Sequence, residues 1–218
     1  MQGDNVMKLI VTLSPCGIKF YNLKVTIMKI GIYGGSFNPI HVGHTSLAKS
    51  LCVRRLVGEV WFLVSPLNPL KQDKKADILN YEDRLALARI ATEKEDCLHV
   101  SDFESHLPVP SYTYTTLQKL SEAYPEHDFS LVIGADNWVH FNRWYKADEI
   151  IKNYTIIVYK RPGYDISSVL PNVIVADTPL YDISSTQIRE MIRRGERPSA
   201  DMLSSEVFEY IKSRRLYM

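Results

Sequence analysis

Two histidines three residues apart, directly downstream of a glycine pair, are the side chains of this sequence best arranged for chemistry. The segment Gly34-Gly35-Ser36-Phe37-Asn38-Pro39-Ile40-His41-Val42-Gly43-His44 follows the apolar run Ile30 to Tyr33. That run reads as a buried parallel strand, and Thr45 to Val57 carries Leu47, Leu51 and Leu56 at helical spacing. A tight glycine turn between strand and helix can bind phosphate. Glycine lets backbone N–H groups approach an anion, and the helix start adds unpaired N–H groups and the positive end of its dipole. With a helix beginning near His41, the spacing puts both imidazoles on one face, where they can donate hydrogen bonds to phosphate oxygens. The segment lacks the Lys-Ser/Thr ending of a P-loop and is not GxGxxG.

A second constellation is Ile183-Ser184-Ser185-Thr186-Gln187-Ile188-Arg189. Ser184 with Gln187 makes a capping box, and Ile183 with Ile188 the staple around it. The pattern predicts a helix with Ile188, Met191 and Ile192 buried, Gly195 ending it and Arg189 on another face. Taken alone it is a well-capped surface helix. Gly134-Ala135-Asp136 follows another apolar run, and an Asp there can accept from a ribose diol or cap a short helix into Trp138. Trp144, in a stretch with Phe141 and Tyr145, reads as core packing or as an indole face for an electron-poor cationic ring.

The elements that must position these residues alternate. Val60 to Val64, Leu98 to Val100, Phe129 to Ile133, Thr155 to Tyr159 and Val173 to Val175 read as strands, with Tyr81 to Thr92, Thr113 to Tyr124 and Lys146 to Lys152 as helices. This predicts one α/β domain, a doubly wound parallel sheet with ligands at the carboxyl ends of its strands. Asn68 to Asn80 reads as a polar loop. With 218 residues, 45% hydrophobic content and a net charge of +1, the chain can bury one core and has no bulk basic character to attract nucleic acid. Cys16, Cys52 and Cys97 are odd in number and widely spaced, which fits a reducing cytoplasm better than disulfides or a zinc site. In residues 1–27, Leu9 to Leu13 is too short to span a bilayer. That stretch is expected to be an upstream start or a loosely attached extension, the alternative being an added edge strand around Lys19 to Ile27. The domain proper then covers 28–218.

On these motifs the sequence resembles the HxGH nucleotidyltransferases. GGSFNPIHVGH is similar to the GxFxPxHxGH signature, and Ile183 to Arg189 is similar to ISxTxxR, in the right order and about 140 residues apart. Ser111-Tyr112-Thr113, Ile133 to Asp136, Phe141 with Trp144-Tyr145, and Arg161-Pro162-Gly163-Tyr164 extend the likeness, over residues 28 to 217, to the bacterial nicotinate-nucleotide adenylyltransferases. The resemblance implies a Rossmann-like fold of the nucleotidyltransferase type and adenylyl transfer from ATP to nicotinate mononucleotide. By the same resemblance His41, His44 and Arg189 are catalytic. Gly34, Gly35, Ser36, Phe37, Lys71, Gly134, Asp136, Ser184, Ser185 and Thr186 bind ATP, and Thr113, Trp144 and Tyr145 bind the acceptor. No Asp/Glu/His cluster suits an all-protein metal cage, so Mg²⁺ would arrive on the ATP phosphates. Pro69-Leu70-Lys71 departs from the family's Pro-His-Lys, because Leu70 donates no hydrogen bond. Ser36 and Asn38 replace the frequent Thr and Asp but keep turn chemistry. The alternatives are another phosphate acceptor on the same fold, or a nucleotide sensor without catalysis, against which the intact His41, His44 and Arg189 count.

Overall fold

The computed structural model describes residues 4–14, 17–66, 78–166 and 170–218. Strands β1 (Asp4–Ser14) and β2 (Gly17–Gly35) lead into helix α1 (Val42–Val53), then β3 (Glu59–Val64), α2 (Tyr81–Thr92), β4 (Leu98–Ser101) and α3 (Thr113–Ala123). Next come β5 (His127–Gly134), the single turn α4 (Ala135–Trp138), α5 (Ala147–Asn153), β6 (Thr155–Tyr159), β7 (Val173–Ala176), α6 (Ser185–Arg193) and α7 (Ser205–Ser213). Alternation along the strands builds two cores. Ile30, Ile32, Leu131, Ile133, Ile156 and Val158 pack on one face of the sheet with Leu117, Leu120 and Ile150 from α3 and α5. Tyr33, Phe62, Val132, Ile157 and Tyr159 pack on the other face with α1, α2, α6 and α7.

The six parallel strands run β4-β3-β2-β5-β6-β7. Numbered from β2, this is the order 3-2-1-4-5-6 of a doubly wound dinucleotide-binding sheet, and its direction of winding reverses between β2 and β5. Adjacent loops diverge there and leave a crevice beyond the strand ends. The first signature follows the end of β2 and Gly134 ends β5, so both expected nucleotide contacts flank that crevice. No helix among the described residues is long and apolar enough to cross a membrane.

The helix expected to begin near His41 does so, with His41 as its N-cap, and it ends at Val53, before the apolar spacing read as far as Val57. Residues 67–77, which hold most of the expected loop and Lys71, lie outside the described residues. Asn80 closes that region by accepting from Asp83 N–H at 2.8 Å, the N-cap of α2.

Before Met28, residues 4–14 and 17–27 have strand backbone. β1 pairs antiparallel with the first part of β2, from Ser14 opposite Gly17 to Asp4 opposite Ile27, and β2 joins the parallel sheet only from Met28 onward. We expect removal of residues 1–27 to lower Tm by less than about 4 °C, the shift that roughly 1 kcal/mol produces in a domain of this size. A thermal melt of the shortened chain checks this, and a fall of many degrees would show that the hairpin supports the core.

Candidate active site

His41 caps α1 in extended conformation and His44 lies in the first turn, so the two rings meet on one side of the helix start. They stack with centroids 3.7 Å apart and 29° between planes. The backbone N–H of His41 donates to His44 Nδ1 at 3.3 Å, which leaves Nε2 to carry the proton of the neutral ring. Gly43 makes the stack possible. A side chain there would press on the His41 ring at 3.1 Å and on Tyr181 at 3.3 Å. Not every N–H of the helix start faces the cleft, since Val42 N–H donates to the Met202 carbonyl at 3.0 Å.

The glycine turn differs from its sequence reading. Gly34 and Gly35 complete β2, and the left-handed residue of the turn is Phe37 at φ 42°. Gly35 is small because the Phe37 ring folds back over it, 2.9 Å from where a Cβ would stand. Phe37 is thereby buried, with its ring edge-on to Tyr33, Phe62 and His44. It supports the histidines from below.

A small cleft opens beside the imidazoles, lined among others by Tyr33, His41, His44, Tyr159, Lys160 and Arg161. Tyr33 and Tyr159 share a hydrogen bond of 3.0 Å in its floor, and burial, then Tyr159, hold the Tyr33 phenol protonated. The Arg161 guanidinium lies 5.2 Å from the Tyr159 ring centroid and donates to its hydroxyl at 3.1 Å. Arg161 Nε is 3.9 Å from Asp136 Oδ1. Two cations therefore meet two imidazoles in a concave site, an arrangement suited to a polyanion. Lys160, Tyr33 and Tyr159 escaped the sequence reading as site residues, and Arg161 entered it only as a family landmark. The signal was a Lys-Arg pair immediately after a buried parallel strand.

His41 is 5% exposed and its Nδ1 has no hydrogen-bond partner among the described residues. Burial, reinforced by Arg161, pulls its pKa from 6.5 down to about 3. Between those values the unfolded chain binds a proton that the folded chain refuses, so stability falls as pH drops through that window. In urea unfolding, His41→Gln is expected to make the loss of stability between pH 7 and pH 5 shallower by about 2 kcal/mol. An unchanged slope would mean that His41 is not held neutral.

Ile183 of the second signature lines the cleft, while Ser185 and Arg189 pack behind the turn. Ser184 caps α6 by accepting from Gln187 N–H at 3.1 Å, and Glu196 N–H returning to Met191 O closes the helix with Gly195 at φ 74°. Ile188 and Ile192 are buried, while Met191 is only partly covered. The Ser185 hydroxyl donates to Pro39 O at 2.9 Å. Arg189 donates to Asn38 O at 2.9 Å and to Thr186 Oγ1 at 3.2 Å. The two signatures are thus bonded to each other. Asp136 does not cap its helix: Gly134 is the N-cap, and the Asp136 carboxylate folds back over it.

Among the expected acceptor residues, Thr113 opens α3. Trp144 is half-buried with its ring 5.1 Å from Phe141, so core packing accounts for part of its surface. Tyr145 is exposed and lies 4.8 Å, ring to ring, from Tyr112. None of the three lines the cleft beside the histidines.

A cytidylyltransferase-like family model matches residues 32–191, from β2 into α6. A protein of Bacteroides fragilis named "Probable nicotinate-nucleotide adenylyltransferase" is 49% identical over 77% of this chain and 84% of its own length. The chain belongs to the cytidylyltransferase-like family and, within it, to the nicotinate-nucleotide adenylyltransferases. A homologue of the same name from Bacteroides thetaiotaomicron is 45% identical over 85% of the chain and 91% of its own length. In fold, this adenylyltransferase is similar to Plasmodium falciparum nicotinic acid mononucleotide adenylyltransferase complexed with NaAD, at TM-score 0.73 and 20% identity over 87% of this chain and 97% of that one.

Proposed function

We propose that this chain transfers the adenylyl group of ATP to the phosphate of nicotinate mononucleotide, giving deamido-NAD and pyrophosphate in NAD biosynthesis, in the cytoplasm. The observation that carries the reading is the stacked His41–His44 pair at the start of α1, facing a cleft that also holds Lys160 and Arg161. An acceptor phosphate oxygen attacks the α-phosphorus in line, and the new P–O bond forms as the bond to pyrophosphate breaks. No protein nucleophile is needed, so the work is positioning and charge neutralisation. His44 donates through Nε2 to a phosphate oxygen. His41, neutral while the cleft holds no anion, gains proton affinity when phosphate approaches.

The triphosphate follows the end of β2 at Gly34 and Gly35 and the turn at Ser36 and Phe37, with Lys71 and Arg189 as further cations. The first turn of α6, at Ser184, Ser185 and Thr186, meets it with backbone N–H groups, because the Ser185 hydroxyl already serves Pro39. Asp136 receives the ribose diol next to Gly134. Trp144 stacks on the pyridine ring, and backbone N–H groups at Thr113 and Tyr145 hold its carboxylate. Mg²⁺ would be carried by the ATP phosphates and water and would neutralise phosphate charge there. Among the described residues no three His, Cys, Asp or Glu side chains form a group fit to hold a metal ion.

Pyrophosphate release tests the reading. Release is expected only when ATP and nicotinate mononucleotide are both present. Release with ATP alone, or none with any mononucleotide, would overturn it.

A further inference from the structure

Behind the signature turn lies a buried guanidinium that donates to four backbone carbonyls. Arg84, on α2, is 2% exposed, and it donates to the carbonyls of Ser36 and Ser65 at 2.8 Å each, Leu79 at 3.0 Å and Pro66 at 3.2 Å. A buried cation that donates to four carbonyl oxygens and lies over the Tyr81 ring ties these stretches together, since each bond fixes one stretch of backbone relative to the others. One of those stretches is the signature turn, through Ser36.

The next residues of the turn are held from a different direction. Asn38 Oδ1 accepts from Leu79 N–H at 3.1 Å and from the Tyr217 hydroxyl at 2.8 Å, while the Asn38 carbonyl accepts from Arg189. Tyr217 reaches this point because the chain after α7 turns back through two left-handed residues, Arg215 at φ 53° and Tyr217 itself at φ 63°. Non-glycine residues adopt that conformation when surrounding contacts over-determine it. Tyr210 and Arg214 anchor the same segment by donating to Asp83 Oδ1 at 3.0 and 3.2 Å, next to Arg84 on α2.

We propose that Arg84 and Tyr217 are positioning residues that hold Ser36 and Asn38, and with them the turn beside the imidazoles, in the geometry that receives the ATP triphosphate. The proposal rests on the ATP reading above. Neither side chain touches substrate. Each acts through a backbone or amide oxygen of the turn, where small displacements of a preorganised site have large effects on rate.

Tyr217→Phe is the mild test, because it deletes one hydroxyl and keeps the ring, and Leu79 still bonds Asn38. ATP binding measured by calorimetry should weaken about 3- to 10-fold, the loss of roughly one hydrogen bond. Nicotinate mononucleotide binding should stay within about twofold. Arg84→Lys keeps the charge but loses the planar fork, so it should weaken ATP binding further than Tyr217→Phe does. In the Asn38→Ala background, Tyr217→Phe should add nothing, since both act through one oxygen. If Tyr217→Phe lowers Tm while ATP affinity and kcat/KM for ATP stay at wild-type values, the residue is merely structural and the proposal fails. Turnover of the unmutated chain, run alongside, reports separately on the adenylyltransfer reading, and the calorimetry does not depend on it.

Discussion

Replacing His44 with alanine is expected to lower turnover by about 10² to 10⁴, the range seen when one transition-state donor or positioned proton-transfer group is removed. Its ring stacks on His41 and packs edge-on to Phe37, and its Nδ1 accepts the His41 N–H, so its remaining nitrogen is aimed by three contacts. The fold should survive, because His44 is only partly buried. Steady-state kinetics together with a thermal melt decide the matter. A folded mutant with near-normal turnover would remove His44 from the mechanism.

The second large effect concerns the acceptor. A site that holds the ring carboxylate with N–H donors leaves some of them badly paired when a carboxamide brings its own NH₂ group to the same place. Nicotinamide mononucleotide should therefore be used worse than nicotinate mononucleotide by at least about 10² in kcat/KM. Parallel assays with the two mononucleotides measure the ratio. Equal use would overturn the assigned acceptor and leave adenylyl transfer standing.

The features legible in the sequence were those with local causes. Short apolar runs marked five further strands of the parallel sheet within two residues of their observed spans, and the Ser184 cap and Gly195 stop bounded α6 because capping is a short-range hydrogen-bond pattern. That His41 and His44 share one face of the helix start followed from their spacing, whereas their ring stacking did not. What escaped depended on contacts far apart in sequence. Arg84 reads as an ordinary charge on an amphipathic helix, and only the fold brings the carbonyls of Ser36, Ser65, Pro66 and Leu79 around it. Tyr33 and Tyr159 read as strand residues, 126 positions apart, until β2 and β6 set them against each other on one face of the sheet. Gly34 and Gly35 suggested the turn itself, whereas the left-handed conformation falls on Phe37, whose ring gains buried contacts that offset its backbone strain. Arg189 was placed on the correct side of α6 by periodicity, but its bond to Asn38 joins two motifs about 150 residues apart and has no local signal.

The central claim is that the α-phosphate of ATP, with its adenosine, is moved to the acceptor phosphate. Following ATP labelled in the α-phosphate during turnover with nicotinate mononucleotide tests this most directly. The label should leave ATP and appear in the dinucleotide at the rate that unlabelled pyrophosphate is released. Label recovered as ADP or AMP, with none in a dinucleotide, would contradict the account.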